Sequence, residues 1–261
     1  MTQPLAVWLD PRPHPGWRNM AVDETLLARA AGGERWLRLY RWQPALSFGR
    51  HEPAERRYDI GTIERLALAT VRRPTGGRAV WHADELTYAV AVPAGDLGGL
   101  RDAYRAVHRM LQDALRHLGA PAELAPATRV RRGLGDGACF AAPVGGEVMV
   151  AGRKLVGSAQ LRRGGALLQH GSLLLDGDQA MVGRVTRGRV PADGSIALAR
   201  ALGRPVSWDD AAAAVAAAAA RAWSPINVPG PELVEEVERA GARLGPRYCS
   251  PSWTWRGTQD D

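Results

Sequence analysis

Residues 139–175 read CFAAPVGGEVMVAGRKLVGSAQLRRGGALLQHGSLLL, and this stretch decides the fold class. From Gly146 onward, strand-like runs stand between glycines at 152 and at 164–165, which predicts three successive strands of a β-meander. The same stretch holds Cys139 and the chain's only lysine, Lys154, while the other 33 of 34 Lys+Arg residues are arginine. An ammonium sheds its proton when partly buried, and a guanidinium does not. Lys154 is therefore a candidate reacting group. A turn at Gly145-Gly146 can bring its ammonium back to Cys139, where a cation favours the thiolate. Chance survival of a surface lysine, and a cysteine serving as a small buried hydrophobe, are the alternatives.

Outward from this stretch, the whole chain sets bounds. It has 261 residues, 46% hydrophobic and 23% charged, enough for one large domain with a substantial core. Net charge is +7, which favours an acidic partner unless it only reflects compositional bias toward arginine. Two cysteines 110 positions apart give neither a disulfide framework nor metal-ligand spacing, and a reducing cytoplasm fits them. No secretory signal opens the chain, and no apolar run is long enough to span a membrane.

In chain order, residues 5–9 predict a strand closed by a Pro-rich turn. Asn19 to Ala31 predicts a helix with Asn19 as N-cap and Gly32-Gly33 as its stop. Residues 37–42 and 45–49 predict two strands of an antiparallel arrangement, and 52–65 a helix interrupted by a glycine. Two more strand patterns lie around AVWH and LTYAVAV within 69–93. Leu100 to Leu118 carries apolar residues at 3–4 spacing and ends at Gly119. Residues 120–137 read as loop, and 176–205 as irregular apart from a short helix at 195–202. Trp208 to Trp223 predicts an alanine-built helix capped by Ser207. An amphipathic piece at 231–244 and the aromatic sequence YCSPSWTW follow. Strands with flanking helices read as α+β, one domain.

Arg72 and Arg73 stand before Gly76-Gly77, a cradle for a carboxylate, phosphate or other electron-rich group, and equally an ordinary turn. No GK[ST] follows, so it is not a Walker loop. His82 and His170 are candidate site residues or hydrogen-bonded structural ones. Cys249, in a Pro/Ser tail, reads as incidental.

Taken together, RRPTGGRAVWH (72–82), ELTY (85–88), CF (139–140), GRKLVGSAQ (152–160) and LQHGSLLL (168–175) resemble the lipoate/octanoate attachment family, which includes lipoate–protein ligases, octanoyltransferases and, more distantly, biotin–protein ligases. MAVDETLL (20–27) and SFGRHE (47–52) extend the resemblance over roughly residues 17–225. TGGRAV without a third glycine, ELTY after the histidine and CF ahead of the lysine look like the cysteine-dependent octanoyltransferase branch. Ala83 departs from the Asp of many relatives.

The resemblance implies a mixed, mainly antiparallel sheet with flanking helices, the biotin/lipoyl ligase catalytic fold, over 1–225, with 226–261 as a tail and not a separate domain. It implies a tunnel for a C8 chain, Cys139 as acyl-accepting nucleophile and Lys154 as its partner. Arg72, Gly76, Gly77, His82, Gly157, Ser158, His170 and Gly171 would line the acyl site. The implied donor is octanoyl-acyl carrier protein, and the implied acceptors are lipoyl domains of 2-oxoacid dehydrogenases or the glycine cleavage H protein. No cofactor is then needed. An ATP- and Mg-dependent lipoate–protein ligase is the alternative in the same fold, amidotransfer from another carrier protein's lysine is a variant, and a basic nucleic-acid binder is a third class. Scattered arginines speak against nucleic acid as a partner.

Overall fold

The computed structural model describes residues 3–126, 146–188 and 193–258. In chain order it contains β1 (Leu5–His14), α1 (Gly16–Ala31), β2 (Arg35–Trp42), β3 (Ala45–Phe48), α2 (Ala54–Arg57), α3 (Ile60–Arg65), β4 (Ala69–Arg72), β5 (Val80–His82), β6 (Glu85–Pro93) and α4 (Leu100–His117). Then come β7 (Glu123–Leu124), β8 (Val148–Val150), β9 (Arg153–Lys154), β10 (Val156–Arg163), β11 (Ala166–Leu174), α5 (Ala180–Val185), α6 (Leu198–Leu202), α7 (Trp208–Trp223), β12 (Ile226–Asn227), α8 (Pro231–Ala242) and α9 (Gly245–Cys249). A π-helical turn, Ser252–Arg256, follows.

The main sheet has the order β10-β11-β6-β2-β1-β12. β10, β11, β6 and β2 are antiparallel neighbours, and β1 is parallel to both β2 and β12. The mixed, mainly antiparallel α+β architecture expected from the sequence is the one observed. Period-two alternation sorts each strand between two cores. Leu37, Leu39, Tyr88 and Val90 face one core with Val107 and Leu111 of α4 and Val215 of α7. Trp36, Tyr40, Ala89 and Ala91 face the other, with Met20 and Leu26 of α1 and Val237 of α8. A second sheet, β4-β3-β5, carries the Arg72–His82 segment beside them. Among the described residues, no helix is long and apolar enough to cross a membrane.

Several expectations are corrected. β1 runs on to His14 through its prolines, because a register shift between Asp10 and Pro13 absorbs the missing donors. Helix α1 begins at Gly16 with Pro15 in the cap position, and Asn19 sits inside it, donating Nδ2 to the Arg41 carbonyl at 3.1 Å. β2 and β3 do not pair; they enter different sheets. The 52–65 helix is cut at extended Tyr58, after which the Asp59 side chain caps α3. The meander is two hairpins: β8–β9 turn at Gly152, β10–β11 turn at Gly164-Gly165, and the chain changes sheets at Leu155. Residues 176–205 contain two short helices, α5 and α6. Helix α7 is capped by Ser207 as expected, its side chain accepting from the Asp210 amide.

The tail is fastened by Arg72, a residue with almost no exposure. Its Nε donates to the carbonyls of Trp253 (2.7 Å) and Thr254 (3.0 Å), and its Nη2 to that of Trp255 (2.9 Å). Its Nη1 donates to the carbonyls of Gly49, Arg50 and Glu52 at 2.7–3.1 Å. Burial pulls the guanidinium down to about 10, still charged at neutral pH. One ammonium has three donors and no fork, so it cannot satisfy six acceptors. Arg72→Lys is expected to lower unfolding free energy by about 3 kcal/mol, read by urea denaturation, and to make the residues after 250 susceptible to limited proteolysis.

Candidate functional site

A cavity of about 330 Å³, counting its open mouth, lies where the six-stranded sheet meets the β4-β3-β5 sheet. Met20 of α1 and Tyr40 and Trp42 of β2 form one side. Gly157, Ser158 and Ala159 of β10 and His170, Gly171 and Ser172 of β11 form another. Arg73, Val80, His82 and Thr87 complete the wall. Five expected residues therefore meet here: His82, Gly157, Ser158, His170 and Gly171. Arg72, Gly76 and Gly77 stand outside this wall. The alternation of β4 explains it: Arg72 points to the tail, and its neighbour Arg73 reaches the cavity.

Two glycines are required by close approach. A Cβ on Gly171 would lie 2.3 Å from the Gly157 carbonyl oxygen and 2.7 Å from Ser158 Oγ. A Cβ on Gly49 would lie 2.0 Å from the Gly77 carbonyl oxygen. Gly77 itself has φ 99°, a conformation natural to glycine. The Gly76-Gly77 turn thus serves to seat SFG against the arginine segment.

Three imidazoles are held in relays at or behind the wall. His170 Nδ1 lies 2.8 Å from Asp23 Oδ2, and its Nε2 lies 2.6 Å from Thr75 Oγ1. The carboxylate assigns the proton to Nδ1, so Thr75 donates to Nε2. Asp23 also accepts from Tyr40 OH at 2.8 Å and from Arg38 Nη1 at 3.2 Å. Arg38 reaches on to Asp10 Oδ2 at 2.7 Å. Burial pushes the Asp10 carboxyl up, but the His14 hydrogen bond and Arg38 outweigh it and hold it down at about 2. Burial, then Asp23, raise the Tyr40 phenol well above its ordinary value.

His82 stacks flat on Trp42, ring centroids 3.8 Å apart. Its Nδ1 meets Glu85 Oε1 at 2.7 Å and its Nε2 meets Ser47 Oγ at 2.6 Å. Burial lowers its pKa, against the pull of Glu85. Arg73 donates to Ser47 Oγ at 2.6 Å and to three backbone carbonyls, which fixes it beside the cavity.

The third imidazole, His108 on α4, was invisible to sequence reasoning because it fits the helix's buried stripe. Its Nδ1 is 2.6 Å from the Gly146 carbonyl, so this nitrogen carries the proton. Its Nε2 accepts from Ser158 Oγ at 2.8 Å, and Ser158 accepts in turn from Tyr88 OH at 2.7 Å. Burial pushes His108 down to about 4.

Lys154 is buried in β9, and its Nζ donates to Glu147 Oε1 at 2.5 Å. Glu147 carried no signal in the sequence beyond being one more acidic residue. Lys154 is not part of the cavity wall; Cys139 lies outside the described residues.

His108 gives a pH prediction. Its folded pKa lies below the unfolded 6.5, so between about 6.5 and 4 the unfolded chain binds the extra proton and stability falls as pH falls. At about 1.4 kcal/mol per unit the loss is about 3 kcal/mol. Urea denaturation across that window should show it, and His108→Gln should flatten this part of the profile. Separately, Gly171→Ala should lower Tm and abolish occupancy of the cavity by a C8 ligand, read by calorimetry.

Residues 15–220 match the family described as the lipoyl protein ligase A/B catalytic domain. The chain is 39% identical over 266 residues to octanoyltransferase LipM of Symbiobacterium thermophilum, covering 95% of this chain and 97% of that protein. It is 37% identical over 258 residues to octanoyltransferase LipM of Kyrpidia tusciae, covering 91% and 94%. A solved lipoate-protein ligase A, bound with ATP, superposes with a TM-score of 0.80 over 98% of this chain and 100% of that one, at 22% identity, a likeness of fold. The resemblance carried by the glycine and lysine motifs is thereby borne out, and the chain belongs to the lipoyl protein ligase A/B catalytic-domain family.

Proposed function

We propose that this protein is an octanoyltransferase of lipoate biosynthesis, moving an octanoyl group from acyl carrier protein to a lysine of lipoyl domains through a thioester on Cys139. The observation that carries this reading is the near-full-length similarity to two proteins named octanoyltransferase LipM. The cavity supports it: an aliphatic chain gains about 0.8 kcal/mol for each methylene it buries.

The chemistry suits the residues. The Cys139 thiolate attacks the donor thioester, and the acceptor lysine then takes the acyl group as an amide. Thioester exchange is nearly isoergic and amide formation is downhill, so ATP is not required. In this reading Lys154, whose Nζ donates to Glu147, serves as charge partner and acid–base for the thiolate step. Backbone N–H groups at Gly157 are candidates for binding the developing oxyanion. The net charge of +7 steers acidic carrier domains toward the enzyme, in the cytoplasm where both meet it.

Incubation with octanoyl-acyl carrier protein without ATP should add one octanoyl group by intact mass, removable by hydroxylamine, to wild type and not to Cys139→Ala. Modification of a lipoyl domain only when ATP is supplied would point instead to the ligase reading with ATP and Mg. Lys154→Arg keeps the charge and loses proton exchange, so acylation should slow about 100-fold or more; near-normal rates in a stopped assay would remove the lysine's acid–base role.

A further inference from the structure

The cavity follows one row of paired residues across the main sheet. Gly157 of β10 stands opposite Ser172 of β11, Ser172 opposite Thr87 of β6, and Thr87 opposite Tyr40 of β2. All four line the cavity. Directly opposed residues share a face of the sheet, so the row is a continuous trough. Four strands spaced by about 4.8 Å make it about 14 Å long. An extended octanoyl chain needs about 9 Å from carbonyl carbon to methyl at ordinary C–C bond lengths. The chain therefore fits lying across the strands.

Burial gives the trough a direction. At one end, on β10 and β11, Ser158, Ala159 and Gly171 are partly exposed. At the other, Tyr40 of β2 and Met20 of α1 have 0% exposure and pack in one apolar cluster. The mouth is thus at the β10–β11 side, and the blind end lies at β2 beneath α1.

What closes the blind end sets the length of chain that fits. The aromatic groups there are fixed: Tyr40 OH donates to Asp23 at 2.8 Å, and Trp42 stacks on His82 while its Nε1 donates to Thr87 at 2.9 Å. Helix α1 is fixed too, because Asn19 and Asp23 both bind the buried Arg38. Met20 stands between those two residues in sequence. Asp23 lies one turn further on the same helix face, which places Met20 over the Tyr40 end of the row. An unbranched thioether side chain fills such a gap by shape alone and holds no polar partner. The end of the trough is therefore set by the bulk of one apolar side chain on an immobile helix.

We propose that Met20 is the end stop of the acyl trough and restricts the bound chain to eight carbons. The inference rests on the acyl-transfer reading above and names a specificity determinant for it. It concerns the methyl end of the chain and is independent of where the thioester carbon lies.

Calorimetric titration of wild type and Met20→Ala with hexanoate, octanoate and decanoate tests it. The three acids share one carboxylate, and the Arg73 guanidinium, whose donors go to neutral oxygens, is a wall charge common to all of them. The ratio between lengths therefore reports the apolar end. Wild type should bind octanoate about tenfold tighter than hexanoate, and decanoate no tighter than octanoate. Met20→Ala removes three heavy atoms and opens room for about two methylenes. In that variant decanoate should bind about tenfold tighter than octanoate. Met20→Phe should place hexanoate ahead of octanoate. An unchanged decanoate-to-octanoate ratio in Met20→Ala overturns the proposal, as does a wild type whose affinity keeps rising to decanoate. If Met20→Ala does not fold, Met20→Val is read in its place, with a gain of about fourfold for decanoate. A wild type that binds none of the acids overturns the proposal even where intact mass shows octanoyl on the enzyme. The expected series without any acyl-enzyme leaves the end stop standing and sinks the transferase reading alone.

Discussion

A guanidinium with no contact with water, that of Arg38, sets the terms for the rest of the molecule. It stands on β2 in the face packed by α1, stacked on Tyr40 at 4.0 Å and Trp8 at 5.0 Å. A buried cation is tolerated only when its donors are matched, and here the matches come from separate elements: Asp10 of β1, Asn19 and Asp23 of α1. Because Asp23 also holds His170, the placement of helix α1 on the sheet and the orientation of an imidazole in the cavity wall are one arrangement. Glu24, the next residue, does the corresponding work outward: it takes Arg163 of β10 and Arg247 and Tyr248 of the tail.

The cavity exists because backbone approaches backbone. β10 and β11 come together at Gly157 and Gly171 with no room for a side chain between Gly171 and the facing carbonyl. Around that floor the polar groups are ordered in chains whose proton directions are fixed by their outer ends: a carboxylate behind His170, a carboxylate behind His82, a carbonyl behind His108. The walls are thus rigid in hydrogen-bonding sense as well as in shape, the condition for electrostatic preorganisation.

Much of this was legible in the sequence where a local signal existed. The glycines of GRKLVGSAQ and LQHGSLLL announced strands, and helices α4 and α7 were given by periodicity and by the Ser207 cap. What failed was local logic applied to long-range choices. LRLYRW and ALSFG look like a hairpin, but which sheet a strand joins depends on partners far along the chain. Asn19 has the chemistry of a cap, yet a carbonyl of β2 claimed it. Arg72 and Arg73 read as one basic pair, and strand alternation sent them to opposite sides. Glu147, Glu85 and His108 had no distinguishing spacing at all, since each matters through a partner that only the fold supplies.

The six carbonyls gathered by Arg72 come from positions 49–52 and 253–255, separated by some two hundred residues of chain. During synthesis the first group is available long before the second. Until residue 255 has emerged from the ribosome, this buried charge has only half its acceptors, and the second sheet has no complete seat for its SFG segment. The wall beside the cavity is therefore complete only once residues 253–255 are available to Arg72.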